Sequence, residues 1–562
     1  MAVLEKFPSA KLGIGPVIEN GFYYDFQLPR PISDTDLPEF EKIIHELIAH
    51  KLDFKGGKTA PAKAQKMFKD QPFKLDLIKE FIKEKKTLTV YRTGDFTDLC
   101  RGGHVKTTSE INPDAFKLTR LAGAYWRGDE KNPQLTRIYG VAFDTKSELD
   151  GHLKLLEESR RRDHKKLGAA LDLFTFSDLV GSGLPLWTPK GTILRDILDD
   201  LVWKLRKEKG YERVDIPHVT KKELYETSGH WEKFENELLK ITTREGHLFA
   251  IKPMNCPHHT QIYARRQWSW RELPQRYAST TKVYRDEQTG ELAGLLRVRA
   301  ITQDDAHVFC RQSQIKDEIE KIWDIVTTFY RAVGFGQLDV RISLHDPKQP
   351  KKYLGSPRIW SRAEEMLRAV ARNKNPRATE KRGEAAFYGP KIDFLAHDSL
   401  GREWQVATIQ LDMNMPERFG LFCINEKGKK ETIVMIHAAI MGSLERFISI
   451  LIEHYAGAFP VWLAPVQAAV LPVGEKFAEY AKEVAGILAK ESVRTKLYDD
   501  AETLGKRIRE AELQKIPYLL IVGEREAAAH AVALRERGKG DRGQMPLAQF
   551  LENIRAQLVP PL

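Results

Sequence analysis

At 562 residues the chain is too long for a single hydrophobic core, so two to four domains are expected. A composition of 42% hydrophobic and 30% charged residues matches a soluble globular protein, and no apolar run nears the roughly 18 residues that span a bilayer. Lys plus Arg number 89 against 78 Asp plus Glu; the resulting +11 fits a polyanionic partner such as RNA, and equally a basic solvated surface.

The start, MAVLEKFPSAKLG, has no signal-peptide pattern. KLGIGPVIENGFYYDFQL reads as strands and turns around Gly13, Gly15 and Gly21. EFEKIIHELIAHKL, from Glu39, carries apolar residues at helical spacing. SELDGHLKLLEESRRRDHKKLGAALDLF is helical in period and heavily charged, which suits a solvated linker helix. A long segment rich in tryptophan, proline and histidine follows, and FPVWLAPVQAAVLPVG marks a change near Phe459. Beyond it, VQAAVLPV, EKFAEYAKEVAGILAKE, YLLIVG and PLAQFLENIRAQL alternate strand and helix, as in a compact α/β domain. The expected divisions are 1–147, 148–170, 171–457 and 458–562.

Two sets of residues stand out chemically. TTKVYRDEQTGELAGLLRVRAITQDDAHVF places Arg285, Glu287, Arg297 and Arg299 around a turn at Gly290. Two strands joined there would aim arginines into one pocket, where planar guanidinium forks suit phosphate. Glu287 could accept from an adenine amino group. A basic surface hairpin has the same spacing. Cys256, His307 and His437 lie too far apart for a local zinc finger, and taken singly each reads as a core or surface residue. If they converged, three ligands would leave a fourth coordination position free, as in catalytic zinc sites. The four cysteines, Cys100, Cys256, Cys310 and Cys423, are too few for a disulfide scaffold and fit a reducing cytoplasm.

MNCPHH at Met254, RDEQTGELAGLLRVRAITQDDAH, FYGPKIDF at Phe387 and IHAAIMGSLERF at Ile436 together resemble bacterial-type threonyl-tRNA synthetases, in the family's order and at similar separations. LPLWTPKGTILRDILDDLVWKLRKEKGYERVDIPHV resembles the dimer-forming first motif of class II synthetases, with Pro217 as its proline. YRDE holds the second motif and GSLERF the third. The resemblance covers essentially the whole chain. It implies an α+β editing-like domain, a linker helix, a class II catalytic domain on a mostly antiparallel sheet, and a C-terminal α/β anticodon-binding domain. It further implies a cytoplasmic homodimer, with no membrane partner, that joins L-threonine to tRNA(Thr) using ATP and Mg²⁺.

The resemblance also assigns residues. Cys256, His307 and His437 would hold one Zn²⁺, completed by the amino and hydroxyl groups of threonine. Such a metal rejects valine, which an apolar pocket separates poorly from threonine. Asp305 would accept from the bound hydroxyl; Tyr388 and Gln410 would line the amino-acid pocket. Arg285 would hold the α-phosphate and Arg446 the γ-phosphate, with Arg297 and Lys391 adding positive charge. His230 would contact the terminal ribose of tRNA and assist transfer. Glu526 and Arg535 would read anticodon bases.

Four departures matter. DLCRGGHV supplies Asp98, Cys100 and His104 of the family's editing site. The HxxxH helix that completes the site should end about where Met1 stands, and neither histidine is present. The small domain usual before it is also absent. Either the gene is shortened, with editing lost or impaired, or the start is misassigned. Without that helix, Ile14, Phe22 and Tyr24 are expected to lose cover. Ile301 stands where the family has a phenylalanine that stacks on adenine, forfeiting roughly 1 kcal/mol. His258 replaces a frequent glycine in MNCPHH and is expected to face outward. Two other readings remain: a class II synthetase for serine or proline, and a catalytically dead RNA-binding relative.

Overall fold

The computed structural model describes residues 1–18 and 21–562, in two compact units, Met1–Glu158 and Ser159–Leu562. Glu19 and Asn20, within the first strand-and-turn segment of the sequence, lie outside the described residues.

In the first unit, the expected strands form at Lys11–Leu12, Val17–Ile18 and Gly21–Gln27 and join Phe116–Tyr125 and Gln134–Ala142 in one antiparallel sheet. The helix expected near Glu39 spans Leu37–Ala49 and buries Leu37, Phe40 and Ile48. A second sheet pairs Phe54–Lys58, Thr89–Thr93 and Phe96–Leu99. Between the sheets lies a cavity of about 1280 Å³, lined by Ile14, Phe22 and Tyr24 among others.

The charged segment expected as one linker helix is two: Lys146–Arg162 and His164–Ala170. Asp163 separates them, because its carboxylate accepts from Lys165 N–H (2.8 Å) and caps the second helix.

The second unit is organised by an eight-stranded sheet, antiparallel except at its two edges. Its central strands are β1 (Gln275–Tyr284), β2 (Ala300–Cys310), β3 (Lys391–His397), β4 (Glu403–Asp412) and β5 (Val434–Ser443), in the order β1-β2-β5-β4-β3. Register aligns Tyr277, His307, His437, Gln410 and Lys391 in one row across all five. Residues directly opposite share a face, so a separation of 130 positions between His307 and His437 becomes a cross-strand pair. The other face carries Ala306, Val308, Ile436, Ala438, Ile409 and Leu411, all in the largest apolar core. A one-residue slip would exchange the two faces, so burial of this row fixes the register.

Helix α1 (Pro189–Glu208) buries Leu194, Leu198, Leu201, Val202 and Leu205, a single stripe at helical spacing. Thr188 caps it, with Pro189 at its first turn. Gly191 is required there: a Cβ would meet the Leu173 carbonyl oxygen at 1.8 Å. Helix α3 (Leu444–Tyr455) starts at Ser443, whose hydroxyl accepts from Arg446 N–H (3.1 Å). The C-terminal sheet runs Thr495–Leu497, Ala468–Pro472, Tyr518–Val522, Ala531–Glu536 and Gly540–Pro546, the first three parallel and the last two forming a hairpin. Helices Ala478–Lys490 and Leu547–Arg555 join its apolar core on one face, and Leu504–Leu513 lies against the other.

Candidate active site

Strand alternation sorts the acidic pair in QDDAH. Asp304 points back, where it meets Arg206 of α1 (3.1 Å) and accepts from Ile440 N–H (2.8 Å) and Met441 N–H (2.9 Å). Asp305 points forward, with Oδ1 3.7 Å from His307 Nε2. Its Oδ2 is buried without a hydrogen-bond partner, and burial pushes its carboxyl up to about 6.

Helix α2 (Cys256–Ala264) brings Cys256 over the same face. Its Sγ and one nitrogen from each of His307 and His437 all lie within 4.8 Å of one another. His307 Nε2 faces His437 Nδ1 at 3.1 Å. Behind them, His307 Nδ1 lies 2.8 Å from His259 Nδ1, and His437 Nε2 lies 3.0 Å from Asp412 Oδ2. Burial drives His259 down to about 3, His307 well below its ordinary range, and the Cys256 thiol well above its own. Two imidazoles and a thiol that ionises only beside a cation suit a soft divalent metal such as zinc. These donors therefore fit a metal.

Tyr388 stacks on His437 at 4.7 Å and donates to Gln410 Oε1. The amide of Asn255, next to Cys256, is buried with both polar atoms unpartnered. Lys391 pairs with Asp393 at 3.0 Å. Arg285 Nη2 donates to Met254 Sδ (3.3 Å), while its Nε is buried without a hydrogen-bond acceptor, 3.8 Å from Glu237. Arg297 donates to Glu287 (2.8 Å) and Glu291 (2.9 Å), so Glu287 and Arg297 hold one another. Arg299 braces the loop through Glu287 O and Ser182 O. Ile301 pairs with Val283 at the base of the hairpin. Arg446 is exposed at the start of α3, over Trp404.

His230 is fully buried. Its Nδ1 meets Ser228 Oγ (2.9 Å), its Nε2 lies 3.7 Å from Cys256 Sγ, and burial lowers it to about 3. Reaching a tRNA ribose therefore requires this turn to open. His258 does not face outward: it is 6% exposed, packed by Tyr225, with both ring nitrogens unpartnered. The reason is that α2 is covered on two sides, by the sheet and by the helix Lys222–Ser228.

Away from this site, Cys100 Sγ lies 3.1 Å from His104 Nε2 on the wall of the large cavity. Asp98, half-buried on the same wall, is held by Lys74 (2.6 Å) and Tyr24. Among the described residues, no third histidine, cysteine or carboxylate joins Cys100 and His104 in a possible metal group. Glu526 accepts from Gly523 N–H (3.0 Å), capping its own short helix, and Arg535 approaches Glu512 (3.5 Å).

Sequence reasoning missed His259, Asp412, Arg206 and Lys74. Asp412 follows Gln410 by two positions on a strand, so alternation alone places both on one face.

Comparison with known proteins fits this geometry. Residues 234–455 match the tRNA synthetase class II core domain (G, H, P, S and T), 467–557 the anticodon binding domain, and 88–139 the threonyl and alanyl tRNA synthetase second additional domain. The threonine–tRNA ligase of Porphyromonas gingivalis is 48% identical over 563 residues, covering 99% of this chain and 86% of that protein. The chain belongs to the threonine–tRNA ligase family. The Thermus thermophilus family member is 48% identical over 553 residues, with coverage of 97% and 84%. Among solved structures, the RNA binding domain of threonyl-tRNA synthetase from Cryptosporidium parvum superposes with a TM-score of 0.67 at 35% identity, covering 71% of this chain and 99% of that one. The putative threonyl-tRNA synthetase of Aeropyrum pernix gives 0.61 at 31%, with coverage of 70% and 94%. Membership makes the chain a class II aminoacyl-tRNA ligase. Among the described residues no helix is long and apolar enough to cross a membrane.

Proposed function

We propose that the protein activates L-threonine with ATP and Mg²⁺ and transfers it to tRNA(Thr), using a zinc ion to select the amino acid. The observation that carries this is the convergence of Cys256, His307 and His437, beside Asp305 and Asn255 atoms left without partners. Bound zinc would ligate the substrate's amino and hydroxyl groups, which valine cannot match. Asp305 would accept from the hydroxyl. Tyr388 and Gln410 would wall the pocket.

A threonine carboxylate oxygen then attacks the α-phosphorus; the bond to the bridging oxygen breaks and pyrophosphate leaves. Arg285 would meet the α-phosphate, and exposed Arg446 the γ-phosphate. Lys391 would add charge nearby, and Arg297 and Glu287 would exchange each other for nucleotide contacts. Ile301 would pack against the base. Fixed cations suit a transition state whose charge spreads over phosphate oxygens. In the second step a ribose hydroxyl of tRNA attacks the carbonyl and AMP departs; His230, once its turn opens, would contact that ribose. Glu526 and Arg535 would read the anticodon.

The reading extends to a homodimer through the first-motif segment around α1, and to domains at 1–147, 148–170, 171–457 and 458–562. It also holds that seryl-tRNA editing is lost or impaired: of the editing-like residues, Cys100 and His104 lie together while Asp98 is tied to Lys74 and Tyr24. Replacing His437 by alanine tests the central claim. Zinc content and threonine activation should fall together; full activation without zinc would reject it.

A further inference from the structure

We infer that His259 and Asp412 position the two metal-facing imidazoles: each holds the rear nitrogen of one ring so that the front nitrogen offers a lone pair. This rests on the proposed metal site at Cys256, His307 and His437.

The argument is one of hydrogen-bond direction. A carboxylate can only accept, so His437 Nε2 donates to Asp412 Oδ2 across 3.0 Å. A ring that ligates a metal carries one N–H, so with Nε2 turned to Asp412 the lone pair must come from His437 Nδ1, the atom that faces His307 Nε2. Asp412 cannot turn away, because its Oδ1 already accepts from Asn414 N–H (2.8 Å) and Met415 N–H (2.9 Å).

The other end is adjustable. His259 Nδ1 lies 2.8 Å from His307 Nδ1, and its Nε2 lies 3.2 Å from Ser279 Oγ. A hydroxyl either donates or accepts, so His259 can adopt either tautomer. A metal at His307 Nε2 would leave that ring's one N–H on Nδ1, aimed at His259 Nδ1, and His259 would then donate from Nε2 to Ser279 Oγ. Rear partners of this kind commonly set metal affinity by 10- to 100-fold.

Asp412→Asn keeps the size of the side chain but lets an amide N–H face His437 Nε2, which drives the proton to Nδ1, where the metal should sit. His259→Leu removes the acceptor behind His307, while His259→Asn puts a carbonyl oxygen near the former Nδ1. Zinc affinity is read by chelator competition, and the ligand field by the visible spectrum of the cobalt-substituted protein. Asp412→Asn and His259→Leu should each weaken zinc by about 10- to 100-fold. His259→Asn should bind close to the parent and keep its cobalt spectrum. Thermal midpoints of the metal-free proteins serve as the folding control. Parental zinc affinity in Asp412→Asn, or in His259→Leu, overturns the inference alone. A parent protein that takes up no stoichiometric zinc overturns the metal site itself, and this inference with it.

Discussion

His307 Nε2 and His437 Nδ1 face each other at 3.1 Å across adjacent strands, with Asp412 fixing the second ring from behind. That spacing is close to the separation of two nitrogens on one tetrahedral zinc, each about 2.0–2.1 Å from the ion. Cys256 closes the third corner from α2, where burial alone would keep it a thiol.

The site's support is itself a buried ion pair. Arg206 donates to Asp304 on the back of β2, and both side chains are shielded from water. Arg206→Met should destabilise the second unit by about 3–5 kcal/mol, measured by urea unfolding, because it strands a buried carboxylate. Even with Arg206 present, burial raises Asp304 to about 6. A folded pKa above the unfolded value makes stability fall as pH rises between the two. The variant's deficit should therefore be smallest below about pH 4 and grow towards neutrality. A loss under about 1 kcal/mol at pH 7 would contradict this role.

Ile301 offers an improvement. Ile301→Phe restores a ring against the base and should strengthen ATP binding by up to about 1 kcal/mol, roughly a fivefold fall in KM. Steady-state exchange kinetics across ATP concentrations would show it. An unchanged or higher KM would mean that adenine does not lie against this residue.

The first unit predicts a deficiency. Cys100 and His104 are in contact, while Asp98 is tied up by Lys74 and Tyr24. Hydrolysis of seryl-tRNA should match that of a Cys100→Ala, His104→Ala control. Rapid deacylation abolished by those replacements would show a working editing site.

Much of this was legible in the sequence because the motifs are long and contiguous. MNCPHH, QDDAH and IHAAIMGSLERF each carry one member of the metal group, and the C-terminal strand–helix alternation appears where the apolar runs occur. What was not legible depends on register and covering. His259 and Asp412 gain their significance only when β2, β4 and β5 align. His258 seemed free to face water until a second helix closed over α2. The Asp163 break was hidden because periodicity runs on through a capping residue. The mutual hold of Glu287 and Arg297 is likewise a tertiary contact, unmarked by spacing.

The most direct measurement is amino-acid-dependent ATP–pyrophosphate exchange, with threonine, serine and valine compared on the zinc-loaded protein. The account predicts exchange with threonine, weaker exchange with serine, which keeps the hydroxyl, and none with valine. Valine exchanging as well as threonine, or another amino acid succeeding where threonine fails, would contradict it.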